Sequence, residues 1–268
     1  RQCAGMVEFK QRLWIIGGIV EPLYNYSEVN DVSSNDVWSS VDGLFWKLET
    51  ATAAFPVQSC TQVFVFEEKM WLVDELDSTE IKLWSSENGK NWQLESQFSV
   101  NQPVNSLYPV VFKEQIWLYL SGNDYCYFCL SDGPHNTNQI WRSSNGVTWQ
   151  QEVNTDIPNL RPVVFNNQLF QYSAGNIWMS IDGTTWSGGV ESAFPEHIMT
   201  PIEHNNKLWV IRTDFGYDGF FPETNYWSSS DGFNWEVEVV DGFRANDGLI
   251  SFQSKLWSIA PNENWSPV

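Results

Sequence analysis

One ten-residue segment constrains the fold of this chain more than any other feature, because it occurs five times. The first copy, Val37 to Trp46, reads VWSSVDGLFW, and the others occupy residues 83–92, 140–149, 177–186 and 226–235. Each copy places Asp or Asn before Gly and a second Trp eight positions after the first. Asp-Gly or Asn-Gly between β-prone runs is typical of a hairpin with a type I′ turn. The sequence therefore predicts five copies of one hairpin in a repeat protein.

A second pattern precedes each hairpin and predicts two more strands per repeat. Phe9 stands five positions before Trp14. The same spacing recurs at Phe66 and Trp71, Phe112 and Trp117, Phe165 and Phe170, His204 and Trp209, and Phe252 and Trp257. Alternating apolar residues on either side of a short polar turn indicate two paired strands. We name the four strands of a repeat a, b, c and d in chain order.

The repeat length predicts the architecture. Successive first aromatic residues of the second pattern are 39 to 57 positions apart, and a four-stranded unit of roughly 40–50 residues is a propeller blade. We therefore expect one all-β domain, 1–268, a six-bladed β-propeller of four-stranded antiparallel blades with an incomplete last blade. The expected blades span about 1–50, 51–97, 98–153, 154–191, 192–240 and 241–268. The many tryptophans would then pack between blades.

Two segments carry a resemblance to known propeller families. Residues 14–18, reading WIIGG, followed by 35–40 and Asp42-Gly43, resemble a kelch repeat. The segments 180–186 and 229–235 resemble the Asp box of sialidase-like proteins. The double glycine is kept only in the first blade, and the Arg-x-Gly-His start of a kelch strand is absent. The resemblance implies a propeller and leaves the function open.

Charge and hydropathy exclude some partners. The formal net charge is −19, with 14 Lys and Arg against 33 Asp and Glu, which argues against nucleic acid and anionic membranes. No run of 18 apolar residues exists, so we expect no membrane insertion. No sequence pattern indicates the oligomeric state. Bound Ca²⁺ among loop carboxylates stays open, although no Asp-x-Asp-x-Asp-Gly loop supports it.

Several features favour a secreted protein. The sequence begins at Arg1, as a processed chain would, and Asn25 and Asn264 lie in N-glycosylation sequons. The cysteine count is even, which permits two disulfides. Among the three connectivities we favour Cys3–Cys60, joining the first two blades, with Cys126–Cys129.

The candidate binding residues lie in variable loops. The b–c loops of blades 1, 3 and 5, roughly 17–35, 120–139 and 213–224, are long, aromatic and acidic. These aromatic residues either fold the loops onto themselves or line a binding surface. The candidates are Tyr24, Tyr26, Tyr125, Tyr127, Phe215, Tyr217, Asp124 and Asp214, with Arg161 and Arg244 from the d–a side.

Patterns of known catalytic sites do not occur. A sialidase needs an arginine triad, and a galactose-oxidase-like copper site needs histidines that this chain, with three His, does not pair. No Ser-His-Asp order, metal-binding His pair or phosphate loop is present. The sequence therefore predicts a propeller that is not an enzyme.

The functional expectation is a secreted, non-enzymatic binding propeller whose ligand is a glycan or a protein. The first hypothesis is a glycan-binding lectin that uses the d–a and b–c loop face. The alternatives are a structural or protein-interaction propeller and a carrier of a hydrophobic small ligand or pigment.

Overall fold

A computed structural model describes thirteen stretches of the chain. These are residues 3–20, 32–57, 61–74, 79–101, 104, 106–123, 136–152, 161–173, 176–191, 201–214, 223–239, 249–258 and 266–267. The described residues are all-β: they form 23 strands and no helix. In this part of the chain, accordingly, no helix is long and apolar enough to cross a bilayer.

The strands form six antiparallel sheets in chain order. Blade 1 contains β1 (Gly5–Phe9), β2 (Arg12–Val20), β3 (Val32–Ser40) and β4 (Trp46–Thr50). Blade 2 contains β5 (Gln62–Phe66), β6 (Lys69–Asp74), β7 (Glu80–Ser86) and β8 (Gln93–Ser99). Blade 3 contains β9 (Ser106–Phe112), β10 (Gln115–Asn123), β11 (Asn136–Ser143) and β12 (Gln150–Gln151).

The second half of the chain continues the series. Blade 4 contains β13 (Val163–Phe165), β14 (Gln168–Ser173), β15 (Asn176–Ser180) and β16 (Ser187–Glu191). Blade 5 contains β17 (Ile202–His204), β18 (Lys207–Asp214), β19 (Glu223–Ser229) and β20 (Glu236–Val239). The last sheet contains β21 (Leu249–Phe252), β22 (Lys255–Ser258) and β23 (Ser266–Pro267).

The number of blades differs from the prediction, which was six with an incomplete last blade. Five sheets have the predicted four strands in the order a-b-c-d, so the structure has five four-stranded blades rather than six. The last sheet has three described strands. Strand β21 packs beside β17 on one side and β1 on the other, and the a strands of the remaining sheets follow one another in chain order. The a strands therefore surround a common axis, as in a β-propeller.

The repeated Ser-x-Asp-Gly segment folds as a side-chain-capped turn. In blade 1 the Gly43 amide donates to Ser40 Oγ at 2.8 Å, and Asp42 Oδ1 accepts from the amides of Leu44 and Phe45 at 2.9 Å. Gly43 has φ 75°, whereas Asp42 has no positive φ. A type I′ turn needs positive φ at both central residues. The predicted type I′ turn at this position is therefore wrong, because Ser and Asp side chains cap the turn instead.

The glycine of this turn is required by packing against the neighbouring blade. A Cβ on Gly43 would lie 2.7 Å from the ring of Trp257 in the last sheet, and one on Gly183 would lie 2.7 Å from Trp117 of blade 3. Gly89, Gly146 and Gly232 meet the rings of Trp14, Trp71 and Phe170 in the same way. Five b-strand rings thus each cover the Asp/Asn-Gly turn of the next blade. This contact explains why Trp and Gly recur together, and Trp257 on Gly43 joins the last sheet to blade 1.

True type I′ geometry occurs in the a–b turns. Glu67 and Glu68 have φ 46° and 58°, and the paired residues at the other five a–b turns also have positive φ. Only the Asn166-Asn167 and Asn205-Asn206 turns use the residue type that tolerates this region. The other four turns hold residues other than Gly and Asn at positive φ, which costs free energy.

We expect the double substitution Glu67→Asn with Glu68→Gly to raise the free energy of unfolding by about 1 kcal/mol, because Asn-Gly is the preferred type I′ pair. Urea denaturation of the variant and the wild type measures the change. The same pair in the blade 4 turn, Asn166 with Asn167→Gly, is the control and should change stability by less. A destabilised Glu67→Asn, Glu68→Gly variant would contradict the turn assignment.

The Asp-Gly turns also predict a pH dependence. Burial disfavours ionisation of Asp182, but hydrogen bonds from the Thr185 and Thr184 amides outweigh it and lower the pKa of Asp182 to about 2. Because the pKa of Asp182 is lower in the folded state than in the unfolded state, its ionised carboxylate stabilises the fold above about pH 4. This stabilisation is lost as the pH falls towards 2.

We therefore expect the wild type to lose about 1 kcal/mol more stability than Asp182→Asn between pH 5 and pH 2, a figure reduced for the solvent screening of this exposed group. Asn is a suitable replacement, because Asn88 Oδ1 accepts the amide of Lys90 at 2.9 Å in the same turn of blade 2. Thermal unfolding measured across this pH range tests the difference. Parallel pH profiles for the two proteins would contradict it.

Candidate functional site

A cavity of about 500 Å³ lies where the a strands of blades 1, 2 and 5 meet β21 of the last sheet. Its lining begins near Cys3 and Thr61, at the start of these strands, and extends to Glu8 and Glu203 near their ends. Because each a strand is an edge strand of its sheet, its free edge presents backbone groups towards the axis. We call this space the axial cavity.

Two acidic residues line the axial cavity at equivalent positions. Glu8 immediately precedes Phe9 in β1, and Glu203 immediately precedes His204 in β17, so they share one register of the repeat. Both side chains are exposed. Blades 2, 3 and 4 place Val65, Val111 and Val164 at this position. The last sheet, which lies between blades 5 and 1, places Ser251 there, so a serine separates the two acids around the axis.

A histidine lies directly behind this serine. The His204 side chain is 7% exposed, and its Nδ1 is 2.8 Å from Ser251 Oγ. Its Nε2 is 2.9 Å from Asn205 Nδ2, and its ring meets Trp209 edge-on. Burial lowers the pKa of His204, so the imidazole is neutral at pH 7. The polar side chains that line this end of the cavity are therefore an exposed acid and a serine, with a neutral imidazole behind the serine.

A third acid lies at the end of a b strand. Asp74 is the last residue of β6 and pairs with Lys82 of β7. Burial raises the pKa of Asp74, and the charge of Lys82 opposes that shift only in part. The end of strand b is the face that carries the b–c loops. Asp74 is thus a partly buried carboxyl group on the variable face that the sequence analysis did not single out.

Most of the predicted loop residues lie outside the described residues. These are Tyr24, Tyr26, Tyr125, Tyr127, Phe215, Tyr217, Asp124 and Arg244, together with the sequons at Asn25 and Asn264. Asp214 is the last residue of β18, where only its backbone is described. The proposed binding surface therefore stays a prediction.

Arg161 is the one predicted binding residue whose side chain is described. It precedes β13 of blade 4, and its guanidinium lies 4.7 Å from the centre of the Tyr108 ring in blade 3. The Arg161 amide also donates to Gln171 Oε1. Arg161 is exposed, but this cation–π contact joins two neighbouring blades. The structure thus gives Arg161 a packing role.

Cys3 lies at the rim of the axial cavity and is disulfide-bonded. Its carbonyl accepts a hydrogen bond from the Thr61 amide at 3.1 Å, which places blade 1 against the start of blade 2. Cys60, Cys126 and Cys129 lie outside the described residues. The Cys3–Cys60 and Cys126–Cys129 pairing therefore stays a prediction.

Sequence reasoning missed the acids of the axial cavity because it searched the long loops. The available signal was a charged residue at a register position where other blades carry valine. Within the described stretches, no group of three or more His, Cys, Asp or Glu could hold a metal ion. The chemically reactive side chains described at the site are the two acids and the Ser251–His204 pair.

Comparison with known proteins supports the fold. No family model and no curated protein sequence matches the chain, so the kelch and Asp-box resemblance stays a prediction. Among solved structures, that of YjhT has a TM-score of 0.58 at 13% identity, covering 88% of this chain and 84% of the other.

Two further structures are glycoside hydrolases. The α-L-arabinofuranosidase Arb93A from Fusarium graminearum, in complex with an iminosugar inhibitor, has a TM-score of 0.54 at 13% identity, covering 96% of this chain and 87% of its own. A thermostable family-43 glycoside hydrolase has a TM-score of 0.52 at 10% identity, covering 92% and 96%. These likenesses establish a shared fold.

The comparisons correct two predictions. The expectation that the chain is not an enzyme, and the expectation of a non-enzymatic binding propeller, are wrong, because solved structures with this fold over nearly the whole chain are glycoside hydrolases. The site patterns sought in the sequence were those of sialidases, copper oxidases, Ser-His-Asp enzymes, metal-binding histidine pairs and phosphate loops. Carboxylates on separate a strands form no local motif, so that test could not find them. The chain folds as a β-propeller that is similar in architecture to glycoside hydrolases of less than 15% identity.

Proposed function

We propose that this protein is a glycoside hydrolase that cleaves a glycan in the axial cavity, with Glu8 and Glu203 as its two reacting carboxyl groups. The observation that carries the proposal is the placement of both acids, exposed, in one cavity of about 500 Å³. Glu8 and Glu203 come from different blades, and only the folded ring brings them to one cavity.

The chemistry of glycoside cleavage needs this pair of groups. One carboxylic acid protonates the oxygen of the leaving sugar, and a second carboxylate either activates water or attacks the anomeric carbon. Side chains from the a strands on either side of β21 can approach a sugar ring that lies between them. The remaining lining supports binding, since Gln62 and the free edges of the a strands supply hydrogen-bonding groups for hydroxyls.

The structural neighbours suggest the substrate class to test first. An arabinofuranosidase and a putative exo-β-1,3-galactanase from Bifidobacterium bifidum share the fold, the latter with a TM-score of 0.54 at 10% identity. We therefore propose a neutral arabinose- or galactose-containing glycan as substrate. A neutral glycan also fits the charge of the site, because Glu8 and Glu203 would repel uronic acids.

A hydrolysis screen tests the proposal. The wild type and the double variant Glu8→Gln, Glu203→Gln are incubated with nitrophenyl arabinofuranosides and galactosides and with arabinan and galactan. We expect the wild type to release nitrophenol or reducing sugar and the double variant to release none. Proton NMR of the first product then identifies inversion or retention at the anomeric carbon. Absence of release by the wild type from the whole panel, or equal release by both proteins, would overturn the proposal.

Two finer expectations accompany this function as proposals. The first is that the three-stranded last sheet is a sixth blade, in a propeller of the kelch or Asp-box type. The packing of Trp257 in this sheet on Gly43 of blade 1 supports it. The second is secretion, supported by the Cys3 disulfide, since structural disulfides persist in oxidising compartments. Expression in a secreting host, followed by mass measurement before and after reduction and deglycosylation, tests the second. An unglycosylated product with reduced cysteines would contradict it.

A further inference from the structure

Residue 204 departs from the repeat in a way that blade packing does not explain. The equivalent positions are Phe9, Phe66, Phe112, Phe165 and Phe252, and all five rings are almost fully buried. Blade 5 alone places a histidine there, also buried, at 7% exposure. An imidazole in a position that accepts phenylalanine adds polar atoms that must be hydrogen-bonded. The hydrogen-bond partners of its two nitrogen atoms therefore indicate the role of this histidine.

Both imidazole nitrogens are used, one of them towards the axial cavity. Nδ1 is 2.8 Å from Ser251 Oγ, and Ser251 lines the axial cavity. Nε2 is 2.9 Å from the side-chain amide of Asn205. A nucleophile within hydrogen-bond reach of a base, with a third group orienting that base, is the arrangement of an activated serine. The three residues come from β17, its a–b turn and β21, so the seam between blade 5 and the last sheet creates it.

The protonation of the pair depends on the Asn205 amide. With Nδ2 towards His204, Nε2 accepts and Nδ1 donates to the serine. Amide oxygen and nitrogen have nearly the same shape, so a half-turn of the Asn205 amide places Oδ1 against Nε2–H. Nδ1 then accepts the Ser251 proton. The pKa of His204, lowered by burial, keeps the ring neutral and able to take that proton at pH 7.

We propose that Ser251 and His204 form a nucleophile–base pair that cleaves small neutral carboxylic esters, such as an O-acetyl group, in the axial cavity. This activity goes beyond the proposed glycosidase function, because glycosidic cleavage uses Glu8 and Glu203 and needs no serine. The ester is neutral because these two acids share the cavity and the chain carries a net charge of −19. An anionic acyl group would meet electrostatic repulsion there.

The reaction balances without any further reactant than water. Ser251 Oγ attacks the carbonyl carbon while His204 Nδ1 takes the hydroxyl proton. The bond between the carbonyl carbon and the alcohol oxygen then breaks, and the imidazolium returns its proton to the leaving alcohol. Water repeats the sequence on the acyl-serine, with His204 accepting a proton from the water and returning it to Ser251 Oγ. The products are the free alcohol and the carboxylic acid.

Covalent labelling tests this proposal on the full chain. A fluorophosphonate reagent is incubated with the protein, and peptide mass spectrometry locates the adduct. We expect labelling at Ser251 and none in Ser251→Ala. His204→Phe restores the residue that five other repeats carry, so the fold should remain intact, and we expect its labelling rate to fall at least about 10²-fold. Ser254→Gly, an exposed serine in the following turn, is the control and should label like the wild type.

The pH dependence of ester hydrolysis is a second test of the Ser251–His204 pair. Hydrolysis of p-nitrophenyl acetate should rise with pH through a group whose pKa is lower than the ordinary histidine value, and this rise should disappear in His204→Phe. Glycoside hydrolysis is assayed on the same proteins; that assay depends on Glu8 and Glu203, whereas the label reports Ser251, so the two proposals fail separately. An unlabelled Ser251 in protein with a native circular dichroism spectrum, or equal labelling of wild type and His204→Phe, would overturn the inference.

Discussion

Trp71→Ala is expected to lower the free energy of unfolding by about 3–5 kcal/mol, the range for removing a large aromatic side chain from a core. The Trp71 side chain is 2% exposed and packs among Phe64, Leu107 and Leu118 at the interface of blades 2 and 3. Its Nε1 also donates to the Phe66 carbonyl at 3.0 Å. The alanine variant leaves a cavity over the Gly146 turn. Equilibrium denaturation followed by far-ultraviolet circular dichroism measures the loss.

Two matched variants test whether the stability lost in Trp71→Ala comes from the packing of this ring between blades. Trp71→Phe reproduces blade 4, where Phe170 covers the Gly232 turn, and should cost less than Trp71→Ala because an aromatic ring still fills most of the space. Trp38→Ala removes a partly exposed ring whose Nε1 bonds Asp36, and we expect about 1 kcal/mol. If Trp71→Ala costs no more than Trp38→Ala, the b-strand rings do not stabilise the blade interfaces.

Glu203→Gln and Glu8→Gln are each expected to reduce kcat about 10²–10⁴-fold on the glycan that the screen identifies, because each removes a proton donor or an anionic group. Glutamine keeps the shape and the hydrogen-bonding capacity of the side chain. The KM should therefore change far less than kcat. Steady-state kinetics on the two single variants separate these effects.

Glu236→Gln provides the control for these variants. Glu236 is an exposed acid at the start of β20, a d strand distant in the blade from the a strand that lines the cavity. The same charge is removed, so a general effect of net charge would appear here too. Wild-type kcat in Glu203→Gln, or an equal loss in Glu236→Gln, would exclude Glu203 from the reaction.

The strands could be predicted from the sequence because their signals are local. Alternating apolar residues around Phe66 and Trp71 and the Asp-Gly pair at residues 42–43 each act within a few positions of the chain. The turn type was predicted wrongly for a physical reason. Ser40 and Asp42 side chains accept hydrogen bonds from the backbone amides of the Asp-Gly turn. Four of the six true type I′ turns use residues such as Glu67 that carry no turn signal.

The candidate site could not be predicted in the same way, because ring closure creates it. Glu8 and Glu203 lie in distant parts of the chain, and each is an ordinary charged residue next to a turn. His204 and Ser251 become neighbours only where blade 5 meets the last sheet. A comparison of equivalent repeat positions would have indicated both pairs, since each replaces an apolar residue of the other blades. The loop aromatic residues attracted attention because their composition is conspicuous.

The most direct test of the account is a crystal structure of the Glu203→Gln variant soaked with the glycan that the wild type cleaves. We expect electron density for a sugar in the axial cavity, with its glycosidic oxygen within hydrogen-bonding distance of Glu8 or of the substituted side chain of residue 203. Sugar bound only on the b–c loop face, with an empty axial cavity, would contradict the assignment of the site.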